Sequence, residues 1–393
     1  MPETMIVLAI IPAIGAGATA IMDLWGIAQR RLLGIPAVID RVVDQAAAQV
    51  FMPHWEPRFS SRSFAYRPGR GPHDALDALE KALNRGAQWA LHLDIENFFD
   101  SVPHRAVLGG LEKDLADRRL AALLDRVLTC GVFQGGLVRP TQVGLAQGSP
   151  LSPLLANVVL HRLDTRLEEQ EWEFVRYADD CCVLMAGEDG AERAKQTIAG
   201  WLAEIGLRIN EQKTAFGHFT TARFLGFAFR RDGNGRVVRY ASPESVAEAE
   251  VALVSFVKTA GGDPHLVASE VSQMLRSWLA YFHSPADEAR LRTFAERITA
   301  AWRERFSTAT QPDCLRWETL VGRGGGSRRM DYSGHLRDAF SFLEAVDWTE
   351  SLRCIAQRLL RSRWWGVDYD IGLGQRAPML RLRLGPHRIG LRF

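Results

Sequence analysis

Adjacent aspartates set between two short apolar runs are the feature that most limits how this chain can fold. Phe174 to Tyr177 and Cys181 to Met185 have the length of buried core strands, and Tyr177-Ala178-Asp179-Asp180 joins them. Read as a hairpin, the junction sets Asp179 and Asp180 side by side at its tip. Neighbouring carboxylates repel there, which is poor for folding but suited to gripping a hard divalent cation. Mg²⁺ takes oxygen ligands in octahedral geometry and keeps positions open for substrate phosphates. An ordinary Asp-rich turn is the plain alternative for an isolated pair.

A second apolar run weighs against that alternative. Trp89 to Leu93 ends in Asp94 and continues Ile95-Glu96-Asn97-Phe98-Phe99-Asp100, so a third carboxylate is available from another strand end. Asp94 alone could equally cap the following turn. Together the three carboxylates can bridge two metal ions, the arrangement that stabilises both the attacking and the leaving oxygen of an in-line phosphoryl displacement.

The body around this constellation is a soluble α+β chain. Its 393 residues, 47% hydrophobic and 24% charged, can bury a large core and divide into two to four folding units. A formal net charge of +2 excludes a protein that merely coats nucleic acid, so any basic surface must be local. Arginine dominates the cations; lysine occurs only at Lys81, Lys113, Lys195, Lys213 and Lys258, which draws attention to Lys213. Cys130, Cys181, Cys182, Cys314 and Cys354 have no paired spacing, so neither a disulfide framework nor a zinc site is readable and a cytoplasmic setting is expected. Met5 to Met22 carries no charge and is long enough to cross a bilayer. Pro12, Gly15 and Gly17 interrupt it and no Lys or Arg precedes it, so a buried or partner-covered segment is expected rather than membrane contact or a secretory signal.

Helical periodicity runs through His73 to Asn84, Arg105 to Leu128 and Ala191 to Ile205. After the Asp232 to Gly235 turn signal the chain becomes mainly helical, with one helix over about Leu266 to Phe282 and another opening at Ser284-Pro285, where Ser284 can cap and Asp287 follows three later. A Gly-rich stretch, Gly322 to Ser327, precedes a last region. From Ser351 onward, Arg353, Arg358, Arg361, Arg363, Arg376, Arg381, Arg383, Arg388 and Arg392 face only Asp368 and Asp370, so positive charge concentrates there.

The ordered series of segments resembles the reverse transcriptases, especially the bacterial lineage related to group II intron-encoded proteins. It runs from Arg30-Arg31-Leu32-Leu33-Gly34-Ile35-Pro36 with Asp40-Arg41-Val42-Val43 to Phe64-Ala65-Tyr66-Arg67-Pro68-Gly69-Arg70 and the Asp94 segment. It continues with Gln147-Gly148-Ser149-Pro150-Leu151-Ser152-Pro153-Leu154-Leu155-Ala156-Asn157 and then the Asp179-Asp180 junction. Gly206-Leu207, Glu211-Gln212-Lys213-Thr214 and Phe224-Leu225-Gly226-Phe227 complete it.

The resemblance implies a right-hand polymerase of fingers, palm and thumb, the palm sheet packed on helices, with a small C-terminal α/β appendage. The expected division is an apolar segment at 1–25, fingers at 26–88, palm at 89–245 with a helical insertion at about 104–140, thumb at 246–310 and an Arg-rich domain at 311–393. It implies Asp94 and Asp179 as the principal metal ligands, Asp180 as a supporting carboxylate and the Ile95 carbonyl as a ligand of a second ion. The two ions would be Mg²⁺, with Mn²⁺ as a substitute. Phe99 resembles a steric gate whose ring would clash with a ribose 2′-hydroxyl, its other reading being a core aromatic beside Phe98. Gln147 and Gly148 resemble the motif lying against the incoming nucleotide and template. Lys213 resembles a lysine that protonates or offsets the pyrophosphate leaving group, its other reading being a solvated surface lysine. Arg31 and Arg67 are implied as triphosphate contacts and Arg70 as a template-phosphate contact, since guanidinium presents paired donors to phosphate oxygens.

The sequence departs from the group II intron pattern at both ends. Few residues precede the first finger motif, and no paired-Cys endonuclease module is readable beyond the thumb-like segment. The tail reads as a helix over Thr349 to Trp364, carrying Arg353, Arg358 and Arg361, followed by an alternating strand with Arg381 and Arg383 that breaks at Gly385-Pro386. These arginines are candidates for nucleic-acid contacts, or equally for the solvated face of a docked domain. The expected activity is RNA-directed DNA synthesis from dNTPs on an RNA template and primer, with a dedicated noncoding RNA or partner protein as an added partner. A domesticated enzyme of antiviral defence is the expected setting, ahead of a mobile intron enzyme. A template-independent or RNA-synthesising polymerase and an inactive RNA-binding scaffold are the rivals.

Overall fold

The computed structural model describes residues 36, 38–111, 118–134, 137–188, 190–307 and 312–321, together with the backbone of 367–373, 378–384 and 387–392. Helix α1 (Val38–Trp55) and α2 (Pro72–Asn84) lead into strand β1 (Trp89–Leu93). A short helix α3 (Phe98–Ser101), α4 (His104–Leu111), α5 (Arg118–Thr129) and the small hairpin β2 (Val132–Gln134) and β3 (Leu137–Arg139) follow. Next come α6 (Ser152–Glu169), the hairpin β4 (Glu173–Tyr177) and β5 (Asp180–Met185), α7 (Ala191–Glu204) and β6 (Ala215–His218). Strands β4-β5-β1-β6 form one sheet in that order, with β5 antiparallel to both β4 and β1 and β6 antiparallel to β1. Its position in the middle of the chain's contacts follows from sequence: both faces are apolar, so both must be covered.

Alternation along the strands decides which cover goes where. Leu91, Leu93, Cys181, Val183 and Phe174 pack with Leu155, Val159 and Leu163 of α6 and with Val107 of α4 in one buried cluster. Ala90, Cys182, Leu184 and Val175 join a second cluster with Leu76, Leu79 and Leu83 of α2. That second cluster continues through the sheet β7 (Arg223–Phe224), β8 (Phe227–Arg231) and β9 (Val237–Ala241). It ends in three helices, α8 (Pro243–Thr259), α9 (Pro264–Phe282) and α10 (Glu288–Phe306), and the short α11 (Trp317–Val321). The mixed helix-and-sheet class matches the sequence reading, and β1, β4, β5, α2, α7 and α9 lie within a residue or two of their expected limits.

Two helical expectations change. Arg105 to Leu128 reads as one periodic run but forms two described helices, α4 and α5, with 112–117 outside the described residues. The helix expected at Ser284-Pro285 begins later: Pro285–Asp287 is a single 3₁₀ turn and α10 starts at Glu288. Ser284 makes no cap; its hydroxyl donates to the Arg239 carbonyl on β9 at 3.2 Å, and Asp287 is buried in an ion pair with Arg290 at 2.9 Å. A neighbouring strand therefore took Ser284, and Asp287 pairs within the first turn of its own helix. In the tail, β10 (Val367–Leu373), β11 (Pro378–Leu384) and β12 (His387–Arg392) form an antiparallel sheet. Met5–Met22, Gly322–Ser327 and Thr349–Trp364 lie outside the described residues. No helix among the described residues is long and apolar enough to cross a membrane.

Candidate active site

The β4–β5 hairpin closes through only Ala178 and Asp179, with Tyr177 paired to Asp180. Ala178 adopts a left-handed φ of 57°, uncommon for a residue with a side chain and held here from below. The fully buried Arg176 donates to the Ala178 carbonyl at 2.9 Å and to Asn157 Oδ1 at 3.1 Å. Its Nε and Nη2 donate to Asp164 Oδ1 and Oδ2 at 2.7 and 2.5 Å. Arg176, Asn157 and Asp164 thus form a buried cradle for the turn that carries Asp179.

Strand β1 supplies the third carboxylate by register. Leu93 pairs with Cys181, so one residue further along Asp94 stands across from Asp180. Ile95 bridges to Ile209, flanked by hydrogen bonds from Glu96 N to Arg208 O at 2.9 Å and from Asn210 N to Asp94 O at 2.8 Å. In such a non-hydrogen-bonded pair each residue's own N–H and C=O turn outward, so the Ile95 carbonyl faces the β5 side of its strand. Lys213 follows in a turn closed on Asn210, and its ammonium stands 4.0 Å from Asp94 Oδ2.

His92, which sequence reasoning passed over, contacts this group directly: its Nε2 lies 2.5 Å from Asp180 Oδ1. Strand alternation carried a signal, since a polar residue two before Asp94 must share its face. Burial pulls the His92 imidazole down, and the Asp180 hydrogen bond with the charges of Asp180 and Asp94 outweighs it, so its pKa lies above the ordinary histidine value. Nearby phenols sense the same charge. Burial first, and then Asp179, raises Tyr66; burial, Tyr177 and Asp180 raise Tyr281.

Phe99 is half-buried, edge-on to Phe98 at 5.5 Å and to Tyr66 at 6.4 Å. Tyr66 is 43% exposed and left-handed at φ 61°, an aromatic held open opposite Phe99. The segment with Gln147 and Gly148 is tied to the same place: Leu145 N donates to the Phe99 carbonyl at 2.6 Å, and Ser149 Oγ donates to the buried Asp44 at 2.6 Å. Gln147 and Gly148 lie in a half-buried turn between these two anchors.

The arginines divide. Arg67 is buried, with Nε on the Glu56 carboxylate at 3.0 and 3.2 Å and Nη1 on the carbonyls of Ser60 and Ser63 at 2.5 and 2.7 Å. Its guanidinium is committed to its own loop, not turned toward a triphosphate as expected. Arg70 is half-buried, donates to the Ser61 carbonyl at 2.7 Å and lies over Phe64. Arg31, Arg353, Arg358 and Arg361 lie outside the described residues. Arg381 and Arg383 sit on β11, where they pair with Asp370 and Asp368 of β10 and alternate with Leu380, Leu382 and Leu384.

Among the described residues no three His, Cys, Asp or Glu side chains form a ready-made metal cage. The donor set is open instead: carboxylates on adjoining strand ends, one outward carbonyl, and a lysine beside Asp94. Such a set fits an ion that retains waters and takes phosphate oxygens from its substrate.

The family described as reverse transcriptase (RNA-dependent DNA polymerase) matches residues 26–229. Protein YkfC of Escherichia coli K12 is 29% identical over 228 residues, 48% of this chain and 60% of that protein. Group II intron-encoded protein LtrA of Lactococcus lactis is 32% identical over 146 residues, 37% of this chain and 24% of that protein. The chain thus spans less than two thirds of either relative. Among solved structures, apo telomerase from Candida tropicalis is similar at a TM-score of 0.38 and 12% identity, over 68% of this chain and 55% of that one.

Proposed function

The chain belongs to the reverse transcriptase family, and from that premise we propose that it is an RNA-directed DNA polymerase that extends a primer with dNTPs. The observation that carries this reading is the register of β1 on β5, which sets Asp94 opposite Asp180 at the sheet end, with Asp179 in the adjoining turn. Two Mg²⁺ ions, or Mn²⁺ in their stead, would be held by Asp94, Asp179 and the Ile95 carbonyl, with Asp180 in support. When bound, they neutralise the attacking and leaving oxygens of an in-line phosphoryl transfer. Lys213, 4.0 Å from Asp94, is close enough to meet the pyrophosphate as it departs. Phe99, facing Tyr66 across the approach to the carboxylates, has the size to exclude a 2′-hydroxyl.

Nucleotide incorporation with Mg²⁺ tests the reading, comparing wild type with Asp179→Asn on primed RNA supplied with dNTPs or rNTPs. The expected result is templated DNA from wild type and none from the variant, while both bind primed RNA with equal affinity, because the substitution removes a metal ligand and not a phosphate contact. Equal synthesis by the variant would overturn the site. Product without template would favour template-independent synthesis, and a silent wild type that still binds RNA would favour a scaffold.

The name of LtrA favours a second reading, an enzyme encoded within a group II intron, over a domesticated enzyme of antiviral defence. Sequencing the RNA that copurifies with the chain separates them: intron RNA supports the first, and a distinct noncoding RNA supports the second.

A further inference from the structure

The polymerase reading gives no task to His92, whose ring touches one of the three carboxylates. Two observations converge on it. Its position on β1, two residues before Asp94, puts both side chains on one face, and the pairing of His92 with Cys182 puts Asp180 on that face too. Its Nε2 lies 2.5 Å from Asp180 Oδ1.

We propose that His92 is a positioning residue for nucleotidyl transfer, which fixes the Asp180 carboxylate through Oδ1. This rests on the polymerase reading of Asp94, Asp179 and Asp180. A carboxylate held at one oxygen loses rotamer freedom and presents the other oxygen in one direction. Asp180 is in this way anchored on its strand, while Asp179 sits in the turn. The anchor also spans β1 and β5, so the spacing between Asp94 and Asp180 is held from two sides, by the backbone ladder and by an imidazole. A histidine that only filled space in a sheet would be replaceable by an apolar residue of like volume. A positioning histidine is replaceable only by a side chain with a donor at the same reach.

Full-length wild type, His92→Leu, His92→Gln, Asp179→Asn, Asp180→Asn and the His92→Leu/Asp180→Asn pair distinguish these. Mn²⁺ affinity is read by the electron paramagnetic resonance signal of the free ion, Mg²⁺ dependence by half-saturation of dNTP incorporation, and folding by thermal melting. His92→Leu is expected to melt like wild type but to need on the order of tenfold more Mn²⁺ and Mg²⁺, as loss of a ligand's hydrogen-bond partner commonly does. His92→Gln, whose amide N–H reaches as far as Nε2, is expected to stay within about twofold of wild type. In the pair, the leucine is expected to add nothing to Asp180→Asn, because the two residues act through one contact.

Leucine and glutamine variants equally impaired, or both like wild type, overturn the positioning role while Asp179→Asn still abolishes binding and synthesis. A wild type that binds no Mn²⁺, or an Asp179→Asn variant that binds it unchanged, overturns the polymerase reading and this proposal with it. Should the leucine variant melt early, His92→Thr, β-branched and suited to a strand, takes its place in the comparison.

Discussion

Phe99 illustrates how a single side chain can be read from its register and yet owe its effect to a neighbour. Its ring is only half-buried, packed edge-on against Phe98 and facing Tyr66. Replacing it by alanine would open the space that a ribose 2′-hydroxyl needs. Phe99→Ala is expected to lower the preference for dNTPs over rNTPs at least about tenfold, if the gate is worth the ~1–3 kcal/mol typical of a steric discrimination. Competition between the two nucleotide pools in a primer-extension assay measures it, and an unchanged ratio would return Phe99 to the core. Arg176 is the opposite case, a residue invisible to site reasoning because it never meets substrate. Its guanidinium satisfies Asp164, Asn157 and the Ala178 carbonyl at once, which a single ammonium cannot do. Arg176→Lys is expected to lower stability by about 3 kcal/mol, the cost of leaving a buried charge poorly paired, as read in urea unfolding.

Elements are placed by their ends as much as by their interiors. The β7–β8 hairpin turns through Leu225 and Gly226, at φ 51° and 78°. A Cβ on Gly226 would come within 2.9 Å of the Phe282 ring at the end of α9. Gly226→Ala therefore meets both backbone strain and a packed aromatic, and is expected to destabilise by about 1–3 kcal/mol, lowering the melting temperature. The same scale explains where reading the sequence stopped. Strands β1, β4 and β5 were legible because short apolar runs between turn signals admit few other structures, and α2 and α7 because their apolar period is unbroken. The start of α10 was not, because Ser284 and Asp287 carry the residue types of a cap while their side chains bond to Arg239 and Arg290. Arg67 was misread for a like reason: an arginine in a phosphate-binding motif and one that braces a loop differ only in whether a carboxylate, here Glu56, is within reach.

Across the whole molecule, a contact between distant segments gives stability a pH dependence. Asp44 of α1 is buried and accepts from Ser149, beside Gln147 and Gly148. Burial pushes its carboxyl up to about 6 from an ordinary 3.8, against the Ser149 hydrogen bond, with Asp40 adding to the rise. Between those values the folded protein retains a proton that the unfolded chain has released, so stability falls as pH rises through that window and stays lower above it. Asp44→Asn keeps an acceptor for Ser149 and removes the charge. The variant is expected to be more stable than wild type at pH 8, by up to about 3 kcal/mol, and to converge with it near pH 4. Thermal melts across that range test it, and a constant difference would deny Asp44 its raised value.

The sequence by itself determined on what local structure the candidate residues sit, since hydrophobic period and turn chemistry act over a few residues. It put Asp179 and Asp180 at a hairpin tip and Asp94 at a strand end, and the fold keeps them there. Only the tertiary structure decided how those ends meet. Register set Asp94 across from Asp180, a buried arginine fixed the turn, and His92 and Lys213 closed on the carboxylates from a neighbouring strand and loop. Such contacts reach as far as the hydrogen bond from Asp94 N to Thr214 Oγ1, 120 positions apart. Their geometry depends on how two apolar faces of one sheet are covered, which no local pattern encodes.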